Sequence, residues 1–136
     1  MITGRHTSFK LDKRMGHIGE VSVLPKLQNY FNMSIRKTEN AYEKYDYIDD
    51  AGTKYELKTR RNRMDAFPTT LIPKHKVIDG SELYFVFNFI DKISYIKYDK
   101  DLFETFETKT LVDGRYGYER EGVDHYLIPI GMLKPL

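Results

Sequence analysis

The run Leu83 to Ile90, LYFVFNFI, constrains the fold more than any other stretch of this chain. Asn88 alone interrupts its aliphatic and aromatic side chains, so the segment has no polar face to turn toward water. A strand of this kind belongs in the middle of a sheet, buried on both faces. Asp91-Lys92 turns the chain into a second strand, Ile93 to Tyr98, and Tyr126 to Ile130 reads as a last strand that Pro129 places at an edge or strand end. Upstream, Ile18, Val21, Leu24, Leu27 and Phe31 recur at helical spacing, which predicts a helix from Gly16 to Phe31 with that stripe on the core. Pro25 inside it predicts a kink or a restart. Residues 32–41 read as a short strand or loop, Phe67-Pro68-Thr69-Thr70 as a helix start, and Asp99 to Phe106 as either a short helix or a strand. Helix, hairpin and long apolar strands together give an α/β fold with a mixed central β-sheet flanked by helices.

The hairpin lies in Lys44 to Arg60, KYDYIDDAGTKYELKTR. Asp50-Ala51-Gly52 separates two tyrosine-rich runs, and a three-residue loop ending in a glycine that tolerates positive φ is a common hairpin connection. If Asp49 faces Thr53, then Ile48 faces Lys54 and Asp46 faces Glu56. Directly opposed residues of antiparallel strands point to the same side of the sheet. Asp46, Glu56 and Lys58 therefore share one face, and Tyr45, Tyr47, Tyr55 and Leu57 share the other. Two adjacent carboxylates repel unless a positive charge sits between them. Mg²⁺ suits the position, because it binds through one or two carboxylates, keeps several waters and is completed by phosphate oxygens. The plainer alternative is a solvated charged face of a hairpin. Glu107-Thr108-Lys109 spells the same acid-x-lysine triplet, yet LFETF joins it to Asp99 and Asp101 with no Gly, Pro or Asn to turn a hairpin. Only the first copy has an acid in register.

Asp46, nine intervening residues and then Glu56-Leu57-Lys58 resemble the PD-(D/E)XK nuclease superfamily, with Tyr45 standing where the name has proline. Lys13-Arg14-Met15-Gly16-His17-Ile18-Gly19-Glu20 resembles the glycine-punctuated first helix that delivers a further acidic ligand in phage and archaeal Holliday junction resolvases. The resemblance covers roughly residues 13 to 60. It implies a restriction-endonuclease-like fold and metal-dependent hydrolysis of DNA phosphodiesters, with branched or junction DNA as the substrate. Asp46 and Glu56, helped by Glu20 and the Leu57 backbone carbonyl, would hold one or two Mg²⁺, with Mn²⁺ as a substitute. Lys58 would orient or deprotonate the attacking water. Thr59-Arg60-Arg61-Asn62-Arg63 is the densest basic run, and Arg60, Arg61 and Arg63, with Lys74 and Lys76, are the expected contacts to DNA phosphates. A restriction- or repair-type nuclease of the same fold, a non-catalytic DNA-binding module and a tyrosine-rich protein-interaction module are the alternatives, and a homodimer is compatible with the resemblance.

Composition sets bounds. A chain of 136 residues with 11 Tyr and 8 Phe suits one domain, residues 1–136, with 1–12 read as a polar arm. A net charge of +2 excludes a general polycation, so any nucleic-acid surface is local. The absence of cysteine excludes disulfides and thiolate metal sites and is compatible with an intracellular protein, cytoplasmic or nucleoid, of cellular, viral or phage origin. No apolar run approaches the roughly 20 residues of a membrane span, so no membrane partner is expected. His75 has no ligand-spaced companion, and Asp113 to Tyr118 reads as a glycine-rich aromatic loop.

Overall fold

The computed structural model describes residues 4–38, 45–77, 80, 82–112 and 122–136, with side chains from residue 18 onward. In chain order the elements are α1 (Gly4–Phe31), β1 (Ile35–Lys37), β2 (Tyr47–Asp49), β3 (Lys54–Thr59), β4 (Thr69–Pro73), β5 (Leu83–Asn88), β6 (Ile93–Lys97), α2 (Lys100–Glu104), β7 (Glu107–Leu111), β8 (Val123–Pro129) and β9 (Lys134–Pro135). Six strands form a mixed sheet in the order β1-β2-β3-β5-β6-β9, and three form a second sheet, β4-β8-β7. The apolar run is β5, in the interior of the large sheet as its pattern requires. It pairs in parallel with β3, while the other pairings of both sheets are antiparallel.

Both faces of the large sheet are covered, by unlike layers. On one face Val23 and Leu27 of α1 pack with Ile35, Tyr47, Tyr55, Leu57 and Val86. On the other, Phe85 and Phe87 meet Ile72 of β4, Ile128 of β8 and Phe103 of α2. The expectation of flanking helices is met by α1 on one face and only in small part on the other, where the short α2 contributes Phe103. The second face carries the small sheet, and Thr69 to Pro73, expected to begin a helix, is its edge strand. The cause lies in β-branched Thr70 and Ile72, which point inward and are buried when the segment pairs with β8. Tyr126 to Ile130 is not the last strand either, since β9 follows it and pairs with β6.

The N-terminal residues 4–12, expected to be an arm, are the first turns of α1. Residues 1–3 and the expected loop at 113–118 lie outside the described residues. The helix runs uninterrupted through Pro25, which lies on its exposed side, where the Val21 carbonyl deprived of a partner can meet water. It ends at Asn32, whose φ of 51° is the left-handed conformation of a helix stop, and the Met33 N–H reaches back to the Gln28 carbonyl (3.3 Å). Ile18 and Val21, expected on the core, are 55% and 60% exposed. Leu27 is buried as expected and Leu24 and Phe31 pack beside it, but the fully buried stripe runs Gly19, Val23 and Leu27. Gly19 is the point of closest approach, because a Cβ built there would lie 2.4 Å from Thr59 Oγ1 and 3.3 Å from Asn88 Nδ2. The same Thr59 hydroxyl is buried without a hydrogen-bond partner among the described residues.

A methyl group at that contact forces α1 off β3 and β5. Gly19→Ala should therefore destabilise the protein by about 1–3 kcal/mol, the usual cost of overpacking, despite alanine's better helix propensity. Urea unfolding measures this, and an unchanged or raised midpoint would show that α1 does not seat on Gly19.

Candidate metal and nucleic-acid site

The hairpin has the register expected from its sequence: Tyr47 faces Tyr55 and Ile48 faces Lys54. Gly52, at φ 86°, closes the turn, with its N–H on the Asp49 carbonyl (3.0 Å). The Asp49 side chain is buried in this turn, where it accepts from Ala51 N (2.9 Å), Thr53 N (3.0 Å) and the Tyr55 hydroxyl (2.8 Å). Asp50 is exposed and pairs with Arg36 at 3.1 Å. Asp49 thus lies on the Tyr55 side of the sheet, away from Glu56, and Asp50 is held by Arg36.

Asp46 lies just before β2. Its backbone N–H still bonds the Tyr55 carbonyl (3.1 Å), while its carboxylate accepts from Leu57 N (2.8 Å). The side chain thus takes the β3 donor that a longer β2 would have satisfied, which fixes the carboxyl beside Glu56. The two acids are near enough to share a hydrogen bond. Burial, then the charge of Glu56, then that shared hydrogen bond push the Asp46 pKa up to about 8, against a smaller lowering by Leu57 N–H. Glu56 itself is only 3% exposed. Lys76 Nζ lies 3.0 Å and Lys58 Nζ 3.5 Å from its Oε2. Burial holds the Lys58 pKa below its ordinary value, and the charges of Lys76 and Arg60 add to that against the opposing pull of Glu56.

Lys76 enters this cluster although it stands 20 positions beyond Glu56 in the sequence. The sequence reading placed it on a basic surface. A short 3₁₀ turn, Lys74–Lys76, follows Pro73 at the end of β4 and brings it in. The Tyr45 hydroxyl donates to the Lys76 carbonyl (2.9 Å) and anchors that turn. Tyr45 was expected to share a face with Tyr47, but the chain bends before β2, so its ring joins Phe85 and Phe87 on the opposite core. Burial and the neighbouring Glu56 raise its pKa to about 12.

Glu20 reaches the same end of the sheet from α1. Its backbone carbonyl accepts from the Tyr47 hydroxyl, its carboxylate pairs with Lys37 at 2.9 Å, and its charge is the least of the terms raising Asp46. Among the described residues no group of three or more His, Cys, Asp or Glu side chains is arranged to hold a metal. The donors that do fit a divalent cation are fewer: two desolvated carboxyls in contact, Asp46 and Glu56, beside the Leu57 backbone. That is within what Mg²⁺ requires of a protein when phosphate and water complete its shell.

The expected DNA contacts separate. Arg60 turns inward, donating through Nη2 to the Leu71 carbonyl and through Nε to Thr70 Oγ1 (3.3 Å), with its guanidinium 5.8 Å from the Phe87 ring centre. It satisfies an acceptor on the open edge of β4. Arg63 is exposed and pairs with Asp91 (3.4 Å) and Asp65 (3.6 Å), Lys74 lies over the Tyr126 ring at 5.3 Å, and Arg61 is exposed.

Because Asp46 holds its proton to about pH 8 in the folded protein and to about 3.8 without these neighbours, the folded state binds more protons across that window. Stability of the metal-free protein should therefore be fullest below pH 3.8 as far as this group is concerned, and its contribution should be lost as pH rises toward 8. Asp46→Asn should remove that slope and raise the urea midpoint at pH 8.5 in the presence of a chelator. A midpoint that instead falls there would show that the Asp46 charge is stabilised. No protein-family model, no curated protein and no solved structure matches this chain, so its geometry alone carries the reading that follows.

Proposed function

We propose that the protein is a metal-dependent DNA endonuclease of restriction-endonuclease-like fold. One observation carries this reading: a glycine-closed hairpin brings Asp46 and Glu56 into carboxyl contact, with the Nζ of Lys58 3.5 Å from Glu56 on the same strand. The order helix, hairpin, then a parallel strand beside the Glu56 strand supports the fold assignment. Asp46, Glu56 and the Leu57 carbonyl are the groups to hold Mg²⁺ or Mn²⁺. Bound there, the ion supplies Lewis-acid charge at the scissile phosphate and makes water at the site more acidic. Lys58, buried and with a lowered pKa, accepts the proton of the attacking water at Nζ. Lys76 faces the same carboxylate and supplies a second cation for the phosphate. Glu20, held by Lys37, acts on the site through its charge and positions Lys37 and Tyr47 rather than completing the ligand set.

A non-catalytic DNA-binding module is the second reading. It is favoured by the two lysines on Glu56, which already neutralise that acid without a metal ion. Calorimetry with Ca²⁺, followed by Mg²⁺-dependent cleavage of linear, flapped and four-way DNA, separates the two. The nuclease reading expects wild-type protein to bind Ca²⁺ and to cleave at least one substrate in Mg²⁺. Asp46→Asn should lose both, while Asp49→Asn, altered only in its turn, should keep most of the activity. Lys58→Ala should lower turnover by two orders of magnitude or more, on the scale of a general base, with Ca²⁺ binding near normal. Equal activity of the two aspartate variants would sink the assignment.

DNA binding in Ca²⁺ has its own signature. Each phosphate neutralised contributes about −0.9 to the slope of log K against log salt. With Arg60 committed to β4, replacing Arg61 and Arg63 together should flatten the slope by up to roughly 1.8, equally for all duplex sequences. An unchanged slope would move the duplex-binding surface away from this run.

A further inference from the structure

We infer that the groove beside Arg60 is a binding site for one unpaired nucleobase, so that the substrate is DNA with an extrahelical or single-stranded nucleotide next to the cut. The inference rests on the nuclease reading for the place of the cut, but the groove and its chemistry stand apart from the carboxyl pair. Glu56, Lys58 and Arg60 project from one face of the same chain segment at alternate positions, roughly 7 Å per step. The row ends at Arg60, which also lines a groove of about 430 Å³ beside β4 with Asn62, Phe67, Thr69, Lys109 and the apolar Leu71 and Leu127.

The mixture of aromatic, apolar and polar groups in this lining suits a base better than a duplex backbone. Phe67 is 60% exposed and offers a bare aromatic face, the platform on which single-stranded bases stack. Asn62 is fixed by its own Nδ2 on the Arg63 carbonyl (2.8 Å), which keeps an amide acceptor at the rim. Thr69 adds a hydroxyl that can donate or accept at a base edge. Lys109 brings a positive charge to the rim for a nucleotide's phosphate, while Arg60, bound to β4, adds to the positive potential of the groove wall. A paired base cannot enter such a groove without leaving its stack, whereas an unpaired one has already met most of that cost. This asymmetry is a source of selectivity for DNA structure rather than sequence.

The test uses two duplexes of one sequence, one fully paired and one with a single-nucleotide bulge of 2-aminopurine, titrated with the full chain in Ca²⁺. Wild-type protein should bind the bulged duplex more tightly and quench the 2-aminopurine by stacking. Phe67→Ala should weaken the bulged duplex about tenfold or more and leave the paired duplex unchanged, and Phe67→Trp should restore the preference. Loss of affinity for both duplexes alike, or for neither, would overturn the base site, as would wild-type protein with no preference. A parallel Mg²⁺ cleavage assay keeps the two readings apart. Cleavage without bulge preference removes the base site alone, and bulge preference without cleavage supports the base site while removing the nuclease.

Discussion

A row of charge runs through the inside of a two-sheet sandwich, and much of the structure answers to it. Glu56, Lys58 and Arg60 occupy the face of β3 and its continuation that carries Phe85 and Phe87 on the neighbouring strand. Taking such groups out of water costs several kcal/mol per ion unless each finds a partner. The partners come from the layer that covers them. Lys76 reaches Glu56 from the turn after β4, and the β4 backbone and Thr70 receive Arg60. The small sheet therefore acts as more than a lid on apolar surface. A helix on this face would have its carbonyls engaged internally and would offer Arg60 no open edge.

Asp46 stands on the other side of that balance. Its carboxyl has one backbone N–H to accept from, and among the partners described no cation answers it directly, while Glu56 lies against it. The folded protein thus keeps a carboxyl pair that the apolar layers around it disfavour as two charges. Such an arrangement detracts from stability, and under the proposed function a cation between the two acids would offset the repulsion and part of the desolvation cost. Asp49, three residues away, shows the contrast. It is more deeply buried than Asp46, yet two N–H groups and a hydroxyl satisfy it, and its work is to close the turn.

The sequence made the sheet's centre and the hairpin legible because both depend on local, periodic signals. LYFVFNFI has no polar face, and Gly52 fixes the pairing of its neighbours. The helix face was misread for a physical reason: its closest contact is made by Gly19, and a side chain of zero size leaves no mark in a hydrophobic period. Ile18 and Val21 filled the pattern and point outward. Thr69 to Pro73 was misread because a Pro-Thr-Thr start suits a helix cap as well as a strand, and only pairing with β8 decides. Lys76 is legible in the sequence as a basic residue expected to contact DNA but not as a partner of Glu56, since nothing in their spacing announces that β4 ends beside that carboxylate. Tyr45 was misassigned because alternation along a strand holds only while the strand lasts, and the chain bends at its border.

The second acid-x-lysine triplet explains what separates a motif from a site. Glu107, Thr108 and Lys109 lie on β7, an edge strand of the small sheet, and all three are exposed. Water surrounds that carboxylate and that ammonium, and among the described residues no ion pair holds a second charge against Glu107. Glu56-Leu57-Lys58 has the same letters on an interior strand, paired in parallel with β5 and roofed by β4 and β8. Coverage makes the difference: it lowers the dielectric, pushes the Asp46 pKa up beside Glu56 and pulls the Lys58 pKa down. The unusual environment of this triplet comes from strand order and from the layer above it, neither of which three letters of sequence contain.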